Sequence, residues 1–296
     1  MYTQIAQNKR NSIFLISLFA IIIIALGWAF GSYFQDPQFG IILAVLISLV
    51  MTLVGYYKGD SVALMTAGAK QIEKRDSPEL FRLVENLCIA SGQPMPKVYI
   101  VEDPAPNAFA TGRGPEHASV AVTTGLLQIL EKTELEGVLA HELSHIKNYD
   151  IRIMTLVVVL VGIIVLFSDW MMRSFFFGRG NKREGSQIAT IGIIVGLILA
   201  ILSPLFAQLI KLAVSRQREY LADASAVFLT RYPDGLARAL EKIARLDQPM
   251  RKANHATAHL FIANPFDPHV TKRFDHMFST HPPIEQRIKK LRSMGV

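Results

Sequence analysis

Among 296 residues there is one cysteine, Cys88, so no disulfide forms within the chain and a small secreted scaffold stapled by bridges is excluded. Charge is also scarce. Asp, Glu, Lys and Arg make up 19% of the chain, below the roughly 25% of ordinary soluble domains. Hydrophobic residues reach 51%, which excludes disorder for the bulk of the sequence. Four long stretches, 13–34, 38–57, 153–172 and 187–210, hold no Asp, Glu, Lys, Arg or His apart from Asp169. Each is long enough to cross a bilayer as a helix, which takes about 20 residues. Pumps and ion transporters carry ionisable groups inside the membrane, so these stretches read as anchors.

The 31 Lys and Arg exceed the 24 Asp and Glu, but the excess lies largely beside the apolar stretches. It therefore predicts a lipid bilayer as partner and no nucleic acid. Lys9 and Arg10 precede the first stretch in the manner of a signal peptide. That stretch is longer than a 7–15-residue signal core, lacks an A-x-A-like cleavage site and is followed at once by a second one, so a retained hairpin is expected. Eleven basic residues near the stretch ends, from Lys9 to Arg218, fall on one side of the membrane, against Arg173, Arg179, Lys182 and Arg183 on the other. The first side is predicted to be cytoplasmic. The third and fourth stretches either cross fully or form a shallow hairpin, and either way the chain returns to the same side.

Between the apolar stretches the pattern predicts a helix from Ser77-Pro78 to Gly92, with Cys88 as a reduced core thiol beside Leu80, Val84 and Leu87. A strand at Lys97–Val101 and an alternating strand at Ala118–Thr123 follow, then a helix opened by a Thr133/Glu136 capping box and running to about Asn148. Beyond the fourth stretch, 211–230, 234–246 and 284–293 read as helices.

The Thr133 helix carries His141-Glu142-Leu143-Ser144-His145. Residues i and i+4 share a helix face, so both imidazoles can bind one ion, and Glu142 lies beside it where it can take a proton from a water. In a chain of this composition the pattern arises by chance roughly 0.01 times. His255 and His259 share the spacing, but Ala256 stands between them in a small-residue stretch. They are not expected to hold a functional metal. A catalytic zinc needs a third protein ligand, and the leading candidate is Glu219, with Asp223 one turn on, positioned to orient a liganding histidine. Two other classes fit parts of this pattern: a catalytically silent membrane scaffold, and a metal-handling membrane protein. The intact Glu142 argues against the first and the uncharged spans against the second.

Taken in order, the N-terminal hairpin, Asn107-Ala108-Phe109-Ala110-Thr111-Gly112, the His141–His145 motif, a second apolar hairpin, Glu219–Asp223 and His281-Pro282-Pro283 resemble one family over essentially the whole chain. This is the membrane-embedded zinc metalloprotease family that contains the HtpX heat-shock proteases and, more distantly, the CAAX prenyl endopeptidases. The resemblance implies a mainly α fold with a small β-sheet, an integral membrane gluzincin-like metallopeptidase with about four spans. It divides the chain into an N-terminal transmembrane hairpin (1–57), a first catalytic part (58–152), a second hairpin (153–214) and a second catalytic part (215–296). It implies one Zn(2+) on His141, His145 and Glu219, with Glu142 as base and Asp223 behind the ligands. Asn107, Ala108, Phe109 and Ala110 would form an exposed edge strand for substrate. His281 would sit beside the zinc as an oxyanion donor or a latch, with Arg287 adding positive charge. The implied role is removal of damaged or misfolded membrane proteins at the inner membrane, with the active site facing the cytoplasm.

Overall fold

The computed structural model describes residues 2–33, 35–160, 216–246, 248–251, 257–263, 265 and 282–294. The fourth apolar stretch, most of the third, the basic loop 173–183, His255 and His281 lie outside the described residues.

Two helices, α1 (Tyr2–Tyr33) and α2 (Pro37–Ala67), form a hairpin long and apolar enough to cross a membrane. Asp36 starts α2 by accepting the Phe39 N–H at 3.0 Å, and Pro37 occupies the first helical position, where no N–H is needed. The helices touch backbone to backbone at Gly27, Gly31 and Gly40, where a Cβ on Gly40 would collide with the Gly27 carbonyl. Along α2, Phe39, Ile42, Leu46 and Val50 are more than half exposed. A continuous apolar face of this kind is a lipid-facing surface.

Below the hairpin lies a four-stranded sheet of β1 (Ala69–Gln71), β2 (Lys97–Val101), β3 (Ala108–Gly114) and β4 (His117–Thr123), in the order β1-β2-β4-β3. The β2–β4 pair is parallel and the other two pairs are antiparallel, which leaves β3 at the edge. Helices α3 (Pro78–Ser91), α4 (Thr124–Ile129) and α5 (Lys132–Lys147) accompany it, and a further helix, α6, begins at 150 and is described to 160. Then come α7 (Arg216–Thr230), α8 (Pro233–Leu246), a 3-10 turn at Ala258–Leu260 and α9 (Ile284–Ser293).

Strand β4 is buried on both faces beyond His117, not on one as its alternation suggests. Val120 and Val122 face a core with Leu80, Val84, Leu139 and Leu143, while Ala121 faces a second core with Phe109, Ala63, Leu64, Ile153 and Val157. The sheet is thus sandwiched between the soluble helices and the feet of the membrane helices. Burial raises the Cys88 thiol to about 11, in keeping with a reduced core residue. The start of α5 corrects the expected capping box. Glu131 is the N-cap, its N–H donating to Glu134 Oε2 at 2.8 Å, and Thr133 lies inside the first turn. Glu134 is the acid held in place there, its buried carboxylate 2.7 Å from Lys242 Nζ of α8.

Helices α5 and α8 meet at Gly137, where an added Cβ would sit 2.8 Å from the Leu236 nitrogen. Gly137→Ala should therefore lower the thermal midpoint of the purified full chain. Overpacking against backbone costs about 1–3 kcal/mol, which outweighs a helix-propensity gain of up to about 1 kcal/mol. A midpoint equal to or above wild type would show that α8 moves aside freely.

Candidate metal centre

Helix α5 carries His141 and His145 on one face, both buried, with ring centroids 4.7 Å apart and Nε2 atoms 3.1 Å apart. Glu219 of α7 completes the group, its carboxylate oxygens 3.7 Å from His141 Nε2 and 3.5 Å from His145 Nε2. Among the described residues these three form the group of donors able to hold a metal ion, all within 4.8 Å of one another.

Each imidazole is steered from behind by a carboxylate. His141 Nδ1 lies 3.0 Å from Asp223 Oδ1, one turn along α7 from Glu219, and His145 Nδ1 lies 3.0 Å from Asp150 Oδ2. With Nδ1–H given to those acids, each Nε2 lone pair points into the site. Two lone pairs facing at 3.1 Å repel unless a cation lies between them. A proton on His145 is one such cation: burial opposes it, but the Asp150 hydrogen bond and the Glu219 charge outweigh burial and raise His145 to about 9. A metal ion is the other, and it serves all three donors at once. Ligands at about 2.0–2.1 Å on a tetrahedral ion stand about 3.3 Å apart, so the 3.1, 3.5 and 3.7 Å separations fit such an ion.

Behind the donors, Arg287 of α9 is fully buried and grips Asp223 with two bonds, Nε to Oδ2 at 3.0 Å and Nη2 to Oδ1 at 2.7 Å. Its Nη1 lies 3.5 Å from Glu219 Oε2. Burial alone would raise Asp223, but the guanidinium and the His141 contact hold it down at about 2. Burial and the Arg287 charge lower His141. Glu142 is buried beside the group and pushed up to about 7, chiefly by burial, while a backbone bond from Ala110 of β3 pulls the other way.

The second steering acid is the part that sequence reasoning missed. Asp150 follows His145 by five residues, off the helical face, and reaches back only because Tyr149 adopts a left-handed turn at φ 62° between α5 and α6. Asn8 of α1 holds it: Asn8 Nδ2 donates to Asp150 Oδ1 at 2.6 Å and to the Asn148 carbonyl at 2.9 Å, and Arg218 Nη1 donates to Asn8 Oδ1 at 3.3 Å. The signal available was a lone acid at the foot of an apolar stretch.

The segment Asn107–Ala110 is at the sheet edge, but buried rather than exposed. The Ala108 carbonyl accepts the Ile262 N–H at 3.0 Å, the Asn107 side chain both donates to and accepts from the Ala263 backbone, and Phe109 stacks edge-on against Phe261. The chain's own 257–263 segment covers that end of the edge. His259 is buried with Nε2 3.0 Å from the Met154 carbonyl, and is not a member of the donor group.

Two imidazoles one turn apart, a carboxylate from a separate helix and a buried glutamate between the imidazoles are the equipment of the HExxH metallopeptidase class. Residues 74–295 match the model for peptidase family M48. A protease HtpX homolog of Dictyoglomus turgidum is 48% identical over 294 residues, covering 99% of this chain and 95% of the relative. One from Caldanaerobacter subterraneus is 44% identical over 299 residues, covering 100% and 98%. The crystal structure of S. mikatae Ste24p aligns with a TM-score of 0.49 at 19% identity, over 98% of this chain and 67% of that one. This chain belongs to peptidase family M48, and is a membrane-associated metalloendopeptidase acting on protein substrates.

Asn8 gives a test of the steering network. Asn8→Ala removes the 2.6 Å donor from a buried carboxylate, and loss of such outer contacts typically weakens metal affinity 10–100-fold. Chelator competition on the purified protein should show a loss in that range. Ser12→Ala, which removes only an intrahelical bond to the Asn8 carbonyl, should leave affinity unchanged.

Proposed function

We propose that the chain is a zinc-dependent endopeptidase that hydrolyses cytoplasmic segments of misfolded or damaged membrane proteins. The observation that carries this reading is the convergence of two steered Nε2 lone pairs and the Glu219 carboxylate on one point, with Glu142 beside it. His141, His145 and Glu219 would hold the ion. Nitrogen and oxygen donors in a compact three-residue set, the number that would leave a place for water on a four-coordinate ion, suit catalytic zinc. When bound, zinc polarises the scissile carbonyl and makes water more acidic.

The chain's own residues do the rest. Glu142, held near neutrality at about 7, accepts a proton from the attacking water and delivers it to the leaving amine. Asp223 and Asp150 fix the tautomer and angle of the two imidazoles. Arg287 is committed to Asp223 and Glu219, so it acts as a positioning residue, aligning those carboxylates and balancing their charge. His281 is the reading's candidate oxyanion donor or latch. Asn107, Ala108, Phe109 and Ala110 offer backbone groups to an extended substrate by strand addition. Because Ile262 holds the Ala108 carbonyl and Glu142 is bonded to Ala110, that docking exchanges existing bonds for new ones.

For the whole chain the reading is a gluzincin-like protein of about four spans in the plasma (inner) membrane, with parts 58–152 and 215–296 meeting on the cytoplasmic side. The basic residues at the feet of α1 and α2 support this orientation. A role in membrane protein quality control under stress accords with the name that the relatives carry.

Glu142→Gln should keep its zinc, measured by elemental analysis, and lose casein cleavage by roughly 10²–10⁴-fold. Glu219→Gln should lose zinc together with activity, since a neutral amide is a poorer ligand for this ion. Near-wild-type cleavage by Glu142→Gln, or full zinc retention by Glu219→Gln, would remove that residue from its role. In inverted vesicles, added protease should reach the 58–152 region; protection there would reverse the orientation.

A further inference from the structure

Where the hairpin meets the sheet, cations and tyrosine rings alternate in an unbroken series. Lys9 Nζ lies 4.6 Å from the centre of the Tyr149 ring, and the Arg152 guanidinium is 4.9 Å from that ring and 5.7 Å from Tyr56. The Arg113 guanidinium follows, 5.8 Å from Tyr56 and 4.9 Å from Tyr57. Four separate parts of the chain supply this collar: α1, α2, the strand β3 and the α5–α6 turn with the start of α6.

Its height on the molecule is set by the helices. From Pro37 to Tyr57, α2 carries no charged residue, and Lys58 is the first. That uncharged length is about 31 Å at 1.5 Å per residue, close to the roughly 30 Å thickness of bilayer hydrocarbon. On α1 the uncharged stretch begins just after Lys9 and Arg10. The collar therefore stands at the headgroup level on the side that carries the metal centre.

A cavity of about 200 Å³ opens there between α2 and the β3–β4 hairpin, with Tyr57, Lys58, Lys97, Arg113, His117 and Asp60 in its wall. Three cations and the His117 imidazole share this wall with one carboxylate. Elsewhere on the surface, Lys70, Lys74, Arg238 and Arg292 each sit within an ion pair. Among the described residues, none of Lys58, Lys97, Arg113 and Arg152 has a carboxylate within ion-pair distance, and Asp60 is the one carboxylate among the cavity's lining residues. Directly above, Leu53, Val54 and Tyr57 expose an apolar face that runs on up α2.

We propose that this cavity binds the phosphate of an anionic lipid headgroup, with the acyl chains lying along the exposed face of α2. Lys58, Lys97 and Arg113 supply the charge, and the tyrosines hold the guanidinium in place by cation–π contact. A soluble phosphate shares the headgroup's chemistry, but not the apolar face that continues from the cavity mouth. The site is separate from the metal centre and does not rest on the peptidase reading.

The test uses the full chain in phosphatidylcholine nanodiscs containing graded phosphatidylglycerol, with bound lipid counted by native mass spectrometry. Wild type should retain phosphatidylglycerol in preference to phosphatidylcholine. The double variant Lys58→Gln/Lys97→Gln should bind it about 25-fold more weakly, two charges at roughly fivefold each. Arg113→Gln should also weaken it, and Lys70→Gln/Lys74→Gln, which lies outside the cavity, should not. Both lysines are exposed, and equal thermal midpoints in pure phosphatidylcholine establish that the double variant is folded. Unchanged phosphatidylglycerol retention in that folded variant overturns the proposal. Stabilisation by inorganic phosphate without any preference for phosphatidylglycerol also overturns it, assigning the cavity to a soluble phosphate.

Discussion

The arrangement depends on holding two imidazole nitrogens, each with its lone pair turned inward, 3.1 Å apart in a buried place. Nothing about that placement is favourable by itself. It has to be enforced by groups behind the rings, and the structure enforces it twice, with Asp223 for one ring and Asp150 for the other. Each acid is a buried carboxylate that needs its own partners. Arg287 supplies them from the last helix and Asn8 from the first. The demand for two oriented nitrogens thus propagates outward until it includes both ends of the described chain.

Much of this was legible in the sequence, and the reason is local. His141, Glu142 and His145 sit on one helix, where spacing alone fixes the face each residue presents, and Glu219 and Asp223 repeat that logic on another. The apolar helices were legible because a bilayer demands length and an absence of charge. What escaped was set by tertiary contact. Asp150 is placed by a left-handed turn, Asn8 is one polar residue among several before an apolar run, and the true cap of α5 is chosen by Lys242, 108 residues beyond Glu134. The burial of β4 on both faces was equally invisible, since alternating small and β-branched residues suit a half-exposed strand just as well.

The edge strand illustrates a compromise. A peptidase that reads backbone needs an unpaired edge, and an unpaired edge invites aggregation. Here Asn107 and the Ala108 carbonyl are occupied by the 257–263 segment, Ala110 is engaged with Glu142, and the Gly112 N–H is taken by Thr155. On the reading proposed above, a substrate backbone would replace each of these bonds at little net cost, because one hydrogen bond is exchanged for another. The strand is thereby quiet without being closed.

Asn8 has a consequence for how such an enzyme could ever leave its membrane. The family match begins at residue 74, which invites the view that everything before it is a detachable leash. Yet Asn8 braces the acid behind His145, and Leu15, Ala63 and Leu64 belong to the same apolar cluster as Phe109 and Ala121 of the sheet. A cut that removed the first hairpin would strip the metal centre of a brace and one face of the sheet of its cover, so shedding this anchor and loosening the metal centre are one event.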